Sequence, residues 1–463
     1  MTQGMLPFQY EVEKRSDGLT SMGGLPSYFE FSSVMGLCGA IRRHVQVRSG
    51  CQGWTDEQML ISLVLLNLAG GECVDDLRVL EGDEGLRRIV IGLEGQGLTR
   101  AQRHEIQRRW RKEKKRAFPS PTAMLDYLKL YHDNEWDSMR RPHEAFIPPR
   151  SQALCSLAKV NGEFISSVQK RSPQETATLD MDATVVETHK KEALWSYKKC
   201  QAYQPLNVYW AEQDLILHTE FRDGNVPANF DLLRLFKESL GFVPQGVRSV
   251  YLRSDAAGYQ EDLLKFCAEA KSERFGQIEF AIGAPVNAEF KKAILEVEES
   301  SWRPLTKSVN GKLVDTNQQY AEVCFVPAWV GHTKHGPEYR FLAVREPLEQ
   351  QILPGMEKQM CLPFPTMNLA NVQYKITGLV TNRTLPGDEV IQWYRERCGK
   401  SEQAHSIMKE DLAGGKFPSG LFGVNAAWWH AMILAFNVNS AMKRLVLGNM
   451  GHKAPESRSL LAH

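Results

Sequence analysis

The sequence of 463 residues has no long apolar segment and no recognisable export signal. Its longest apolar run, AAWWHAMILAFN at 426–437, contains His430 and falls short of the roughly 20 residues that a membrane-spanning helix requires. The first residues lack a basic start followed by an apolar stretch, so secretion is not indicated. We therefore expect a cytoplasmic protein with no membrane partner.

Paired cysteines and an excess of one charge are also missing. The nine cysteines are scattered and never form a Cys-x-x-Cys motif, which argues against a disulfide framework and against a zinc site. With 56 basic and 55 acidic residues, the chain carries no overall field that would attract polyanions. Any binding of nucleic acid must then depend on a local patch.

Length and pattern predict several structural units, because 463 residues exceed what one compact core usually holds. Helical spacing of apolar residues dominates the first part of the chain, including a helix that starts at Thr55 and ends at Gly70. Short β-rich stretches then alternate with helix-like ones, and helices resume at Gly387. The expected fold is multi-domain: an N-terminal all-α DNA-binding region (1–165), an α/β core in two parts (172–275 and 383–447), a β-rich insertion that interrupts this core (276–382) and a loose tail (448–463).

The densest positive patch is the segment 100–116, RAQRHEIQRRWRKEKKR, with nine lysines or arginines against two glutamates. A turn, FPSPT, and a second apolar helix follow, so the stretch 100–131 has the order of a helix-turn-helix module. Its candidate DNA contacts are Arg108, Arg109 and Arg111. A helix face that merely interacts with solvent explains the same residues equally well.

Two acidic residues share one face of a predicted strand. In the segment TLDMDAT, at 178–184, the side chains of Asp180 and Asp182 point the same way because successive strand residues alternate between faces. Like-charged carboxylates in an apolar strand resist ionisation unless a cation lies between them, so the pair indicates a hard-metal site. The alternative is that one of them caps a turn or is exposed at the end of the strand.

Two further motifs carry acids. Asp255 follows the apolar strand VRSVYLRS, at the position where open α/β sheets place their ligands, although an ordinary helix N-cap is an equal alternative. Glu402, His405 and Lys409 share a face of a later predicted helix. An ordinary amphipathic helix explains that spacing as well.

Taken together, these motifs resemble the DDE transposases of bacterial insertion sequences, and specifically the transposase DDE domain group 1. The resemblance rests on LDMDAT at 179–184, SYKK at 196–199, YQPL at 203–206, RSDA at 253–256 and YRER at 394–397, with support from NLAGG at 67–71. It implies a ribonuclease-H-like core with Asp182, Asp255 and Glu402 as catalytic, metal-binding acids. Asp180 is either a supporting partner or the true ligand.

One spacing departs from that family pattern. Four residues separate Arg397 from Glu402 where the family has three, while the six residues between Glu402 and Lys409 are kept. A break in the helix at Gly399, with Ser401 as the N-cap of the helix proper, would absorb the extra residue.

The resemblance implies a cut-and-paste transposase that binds the terminal inverted repeats of its element, hydrolyses a phosphodiester and then transfers the freed strand to target DNA. Two Mg²⁺ ions, for which Mn²⁺ can substitute, would serve both steps. Joining two DNA ends implies a homodimer on double-stranded DNA, acting at the bacterial nucleoid. The alternatives are a transposase-derived DNA-binding protein without catalysis and a ribonuclease-H-like DNA nuclease.

Further DNA contacts follow from the same resemblance. Tyr394, Arg397 and Lys409 would contact the backbone of the transposon end near the cut. Lys198 and Lys199 are further candidates, although a solvated surface explains them as well. Trp302, in the insertion, is the candidate to receive a flipped base, and burial in the core is its alternative.

Overall fold

The computed structural model describes residues 18–94, 98–110, 115–309, 312–327, 329, 339–348, 364–369 and 372–448. The helix predicted from Thr55 is confirmed: the Thr55 hydroxyl accepts a hydrogen bond from the Gln58 amide at 3.2 Å, and Gly70, with φ of 76°, follows the end of the helix. The helices of this part are α1 (Gly24–Val34), α2 (Leu37–His44), α3 (Asp56–Leu68), α4 (Leu77–Gly82), α5 (Glu84–Leu93), α6 (Arg100–Arg108), α7 (Pro121–Lys129), α8 (Glu135–Met139) and α9 (Gln152–Arg171).

A large mixed sheet follows, and with it the expected mixed α/β architecture is confirmed. The strands and intervening helices are β1 (Thr176–Ala183), β2 (Val186–Glu187), β3 (Ala202–Tyr203), β4 (Leu206–Trp210), β5 (Leu215–Glu220), α10 (Leu232–Phe242), β6 (Ser249–Ser254), α11 (Glu261–Ala268), β7 (Glu279–Ala284), α12 (Ala288–Leu295), β8 (Arg303–Val309), β9 (Lys312–Val323), β10 (Arg340–Pro347), β11 (Thr366–Leu369) and β12 (Val372–Thr381). Among the described residues, ten strands form one sheet in the order β5-β4-β1-β6-β7-β12-β10-β9-β8, with β11 paired to β12.

Strand direction changes across the sheet. β1, β6 and β7 run parallel to one another, whereas β4 and β5 are antiparallel to their neighbours. α11 makes the crossover between β6 and β7 that parallel strands require. The strands of the predicted β-rich insertion extend the same sheet. β7, the first of them, pairs with β6 of the predicted core, and β12 pairs with β7 in antiparallel register.

Two long helices complete the described chain. α13 (Gly387–Ser406) begins where the sequence predicted and continues into a π-helical turn, Ile407–Asp411. It runs unbroken through Gly399, so the expected break there, with Ser401 as an N-cap, is wrong. A glycine inside a helix costs only about 1 kcal/mol, which packing readily offsets.

The last helix, α14 (Phe422–Met442), is followed by a π-helical turn, Lys443–Leu447, and is buried along almost its whole length. It packs against α3, α7 and α9 as well as against β5, so the helical part and the sheet share one continuous core. The apolar run at 426–437 is therefore part of a buried helix. No helix among the described residues has the length and hydrophobicity needed to cross a membrane. Apart from Gly448, the predicted tail lies outside the described residues.

Candidate active site

Asp182 and Asp255 lie together at one edge of the sheet. β1 and β6 are parallel neighbours with Met181 opposite Ser254, so both strands end at the same edge. Asp182 is the penultimate residue of β1, and Asp255 is the first residue after β6. Burial raises the pKa of Asp255, and the charge of Asp182 raises it further. The two carboxylates are therefore close enough to repel each other.

Asp255 also has the capping role that the sequence allowed. Its Oδ1 accepts a hydrogen bond from the Ala257 amide at 3.0 Å, at the start of a short 3-10 turn, Ala256–Gly258. This bond fixes the orientation of the carboxylate. The capping and the site interpretations are thus compatible, because the cap involves one of the two carboxylate oxygens.

α13 crosses this edge and brings three polar side chains to Asp182. The Ser401 hydroxyl donates a hydrogen bond to Asp182 Oδ2 at 2.8 Å. The same oxygen lies 3.4 Å from Arg397 Nη1 and 3.8 Å from His405 Nδ1. These three residues are spaced by four, which places them on one face of the helix. Burial nevertheless raises the pKa of Asp182 despite Arg397 and Ser401, both of which lower it.

Sequence reasoning did not select Ser401 as a site residue. The signal was present, because three residues separate Arg397 from Ser401, which is the spacing that the family gives to its glutamate. A continuous helix turns by about 100° per residue, so the residue after Ser401 points away from the face that meets Asp182. The side chain of Glu402 is accordingly exposed.

The third predicted acid is therefore not brought to the other two. Among the described residues there is no group of three or more histidine, cysteine, aspartate or glutamate side chains that could hold a metal ion. Asp182 and Asp255 themselves fit a hard cation, because they are two partly buried carboxylates of like charge whose pKa values are both raised. The site as described supplies two of the three predicted ligands.

Tyr394 and Arg397 line the same site. The Arg397 guanidinium lies 5.7 Å from the centre of the Tyr394 ring, and its pKa is raised by Asp182, Tyr394 and Asp255 against the effect of burial. Gly283 on β7 leaves the space that this arrangement needs. A Cβ atom there would lie 2.9 Å from the Ala256 amide and 3.2 Å from the Tyr394 hydroxyl. Sequence reasoning gave no role to Gly283.

Asp180 has a different environment from Asp182. It accepts two hydrogen bonds from Arg253, at 2.6 Å from Nε and 2.8 Å from Nη2, and both side chains are enclosed. Arg253 also donates to the Trp393 carbonyl at 2.6 Å, which links β6 to α13. The Arg253 guanidinium thus neutralises the Asp180 carboxylate within the protein, and the two residues form a structural ion pair.

The predicted DNA contacts of the helical part fall into different environments. Arg108 is exposed at the end of α6. Arg109 donates to the carbonyls of Gly50 and Gly53, each at 3.0 Å, and is thereby tied to the protein. Arg111 lies outside the described residues. α7, the second helix of the predicted module, packs against α14.

The other predicted DNA contacts also differ in exposure to solvent. Lys198 and Lys199 are exposed between β2 and β3, and Lys409 is partly exposed in the π-helical turn after α13. Trp302 is buried, with the Arg345 guanidinium 4.2 Å from the centre of its ring. The core alternative therefore describes Trp302 better than the base-receiving one, because a nucleotide has no open ring face to reach.

Comparisons with known proteins give one family. The family model described as "Transposase DDE domain group 1" matches residues 7–329. The matched region includes β1 and β6, with Asp182 and Asp255, and it ends before α13. A comparison with curated proteins gives no match. Among solved structures, the chain is similar to the one described as "Cryo-EM structure of piggyBac transposase synaptic complex with hairpin DNA", with a TM-score of 0.46, 11% identity, and coverage of 94% of this chain and 77% of that chain.

Proposed function

The chain belongs to the transposase DDE domain group 1 family, and we propose that it is the cut-and-paste transposase of an insertion sequence, with Asp182 and Asp255 at its catalytic centre. The observation that carries this proposal is the pair of like-charged carboxylates at the shared edge of β1 and β6. Burying two such groups side by side is unfavourable unless a cation joins them. Metal-assisted phosphodiester chemistry needs that arrangement.

The sheet supports a ribonuclease-H-like core as part of the proposal. In the order β5-β4-β1-β6-β7, neighbouring strands from β5 to β1 are antiparallel, and β6 and β7 then run parallel to β1. The first acid lies on the central strand, β1, and the second after its parallel neighbour. Both acids are held on regular elements rather than on long loops, which favours a precise geometry.

The divalent ion in this proposal is Mg²⁺, for which Mn²⁺ can substitute. When bound, such an ion activates the attacking oxygen and stabilises the leaving one. Asp182 and Asp255 would hold it through carboxylate oxygens. Ser401 orients Asp182 through its 2.8 Å hydrogen bond. Arg397, beside both acids, would neutralise a phosphate oxygen of the scissile strand, with Tyr394 and Lys409 on the flanking backbone.

We place Glu402 as the third acid, reached by a local change in α13. In a π-helical turn the residue five positions on, rather than four, comes back to the same side of the helix. A π turn between Arg397 and Glu402 would therefore bring Glu402 to the position of Ser401. The π-helical turn at Ile407–Asp411 lies directly after α13, so wider turns already occur in this stretch.

DNA recognition completes the proposal. The helical part, with exposed Arg108 on α6, would bind the terminal inverted repeats, and the site edge would receive the scissile strand. Joining two ends requires two catalytic sites, so the working form on DNA would be a homodimer. In a bacterial cell, the place of action would be the nucleoid.

The decisive experiment compares Asp255→Asn with Asp126→Asn, a surface control whose carboxylate pairs with Lys129. We expect Asp255→Asn to lose Mg²⁺-dependent cleavage of a terminal-repeat duplex while gel-shift binding to that duplex stays intact. Asp126→Asn should cleave as the parent chain does. Equal loss of binding and cleavage in Asp255→Asn would assign the residue a folding role and would defeat the proposal.

A second candidate is a transposase-derived DNA-binding protein without catalysis. The observation that favours it is Ser401, instead of a carboxylate, on the face of α13 that meets Asp182. A nicking assay on supercoiled plasmid carrying the repeats separates the two. Nicking that requires Mg²⁺ or Mn²⁺ supports the transposase, and repeat binding with no nicking in either ion supports the second candidate.

A further inference from the structure

The segment between β2 and β3 forms a hairpin that presents two aromatic rings to solvent. Trp195 is 61% exposed and Tyr197 is 73% exposed, the highest values among the aromatic side chains of the described chain. Ser196 between them is buried, so the alternation of the chain places both rings on the outer face. Large rings in water are unfavourable, and two together indicate a surface that binds something.

The hairpin is ordered by its own hydrogen bonds. The Ser196 amide donates to the Cys200 carbonyl at 2.8 Å, and the Lys199 amide returns to the Ser196 carbonyl at 3.0 Å in a tight turn where Lys199 has φ of 61°. Lower down, the Ala202 amide donates to the Leu194 carbonyl at 3.1 Å. The backbone that carries the two rings is therefore fixed before any partner binds, which lowers the entropy cost of binding.

Gly224 secures the base of the hairpin. A Cβ atom at Gly224 would lie 2.5 Å from the Ala202 carbonyl oxygen and 2.7 Å from that of Leu194. The chain at Gly224 thus packs against the backbone of both arms of the hairpin. Arg140 adds a hydrogen bond from Nη2 to the Glu192 carbonyl at 3.1 Å.

The hairpin starts at the edge where the two acids lie. Asp182 pairs in register with Asn207, and two residues further the Thr184 amide donates to the Pro205 carbonyl at 3.0 Å. The hairpin therefore leaves the sheet directly after the strand end that carries Asp182. Anything bound along this edge passes close to its base.

The charge around the rings points to a polyanion. Four lysines and two glutamates lie in the stretch 187–200. The Lys198 ammonium lies 5.9 Å from the centre of the Tyr197 ring, and Lys199 is exposed beside it. Aromatic faces flanked by lysines are the combination that holds nucleotides, with stacking on the base and ion pairing with the phosphate.

We propose that Trp195 and Tyr197 stack on unpaired bases of a DNA strand that runs along the site edge. Bases inside a duplex hide their faces against their neighbours, so a ring can stack only on a base that has left the helix or on a single-stranded end. The lysines alone would bind any duplex, whereas the rings add a preference for unpaired nucleotides. The inference rests on the proposed function for the position of the scissile strand, but not for the stacking itself.

The test is a binding experiment on the full chain in the presence of a chelator. The probes are a fluorescent duplex with a single-stranded thymidine overhang and the same duplex with blunt ends, measured by anisotropy. The parent chain should prefer the overhang. Combining Trp195→Ala with Tyr197→Ala should weaken overhang binding by about tenfold or more, the usual effect of removing a stacking ring, and leave blunt-end binding unchanged. The matched pair Trp195→Phe with Tyr197→Phe keeps the rings and should retain most of the preference.

The inference is overturned by a parent chain without a preference for the overhang, by an equal loss for both DNAs in the alanine pair, or by no loss at all. If the alanine pair changes only the sedimentation of the free protein, the rings form a contact between copies of the chain, which also overturns it. Because the assay is run in chelator and measures binding alone, stacking can be detected even if the chain does not cleave DNA. Strand cleavage in Mg²⁺ is measured separately. A parent chain that prefers the overhang but does not cleave contradicts only the proposed function, whereas one that cleaves without that preference contradicts only this inference.

Discussion

Asp180 and Asp182 lie two residues apart on one face of β1, yet they belong to two different ionic centres. Asp180 has both carboxylate oxygens hydrogen-bonded to Arg253, whose side chain is fully enclosed. Asp182 accepts a hydrogen bond from the Ser401 hydroxyl, and its contact with Arg397 is longer, at 3.4 Å. Burial raises the pKa of both carboxyls, so the difference lies in their partners.

The comparison separates a structural acid from a functional candidate. The Asp180–Arg253 centre is satisfied within the protein, because the arginine provides a bidentate cation at hydrogen-bond distance. In the Asp182–Asp255 centre, the two acids share a single guanidinium, that of Arg397, and it lies farther away. Burial and the charge of Asp182 both raise the pKa of Asp255. An extra cation would stabilise the second centre and would find no place in the first.

The largest expected effect concerns the third acid. Glu402→Gln should reduce Mg²⁺-dependent cleavage on the order of 1000-fold, comparable to the loss of one transition-state-stabilising group, whereas Ser401→Ala should cost far less. Adding Ser401→Glu to the Glu402→Gln chain places a carboxylate directly on the face of α13 that meets Asp182, and should restore part of the activity. Rates come from single-turnover cleavage of a labelled duplex. Full activity in Glu402→Gln would remove Glu402 from the centre.

The next effect tests the satisfied centre. Arg253→Met leaves Asp180 buried without a partner, which should lower the free energy of unfolding by about 3 kcal/mol in urea denaturation. Arg248→Met is the matched control, because Arg248 lies just before the same strand and its contact with Glu175 is exposed at both ends. We expect no measurable change there. Similar curves for the two variants would mean that Asp180 is not held by Arg253.

The positions of Asp182 and Asp255 near strand ends could be predicted from sequence, because strand pattern and strand ends are local properties. Their selection as acids of one centre came from the family resemblance, and the partners of their side chains could not be predicted. The pairing of Asp180 with Arg253 depends on the register between β1 and β6, strands whose paired residues are 73 positions apart in the chain. No local pattern fixes such a register before the sheet forms.

The orientation of α13 shows the same limit. Its start at Gly387 was predictable from the return of helical spacing. Whether Ser401 or Glu402 faces Asp182 depends on the helix staying continuous through Gly399, and that is decided by packing rather than by propensity. The burial of Trp302 was unpredictable for the same reason. Its neighbours in sequence are polar, but Arg345, which lies on β10, covers its ring.

A smaller effect concerns the stability of the ion-free protein. The folded-state pKa of Asp255 is raised by burial and by Asp182, so its contribution to stability is present below the unfolded pKa and is lost as pH rises through the folded one. Asp255→Asn removes that repulsion and should increase the free energy of unfolding at pH 7 on the order of 1 kcal/mol. The gain should disappear at acidic pH. Thermal unfolding in chelator at both pH values measures it, and a loss of stability at pH 7 would show that the two acids do not repel.

The smallest effect concerns His405, whose Nδ1 lies 3.8 Å from Asp182 Oδ2. Burial lowers the pKa of His405 to about 4, with Lys409 and Arg397 acting in the same direction. A lowered folded-state pKa means that stability is present above the unfolded value of about 6.5 and is lost as pH falls through about 4. NMR titration of labelled histidine should show a neutral ring throughout pH 6 to 8, with His405→Gln assigning the signal. A protonated ring at pH 7 would give Asp182 a second cation and make it as satisfied as Asp180, which would remove the difference between the two centres and with it the reason for an added metal ion.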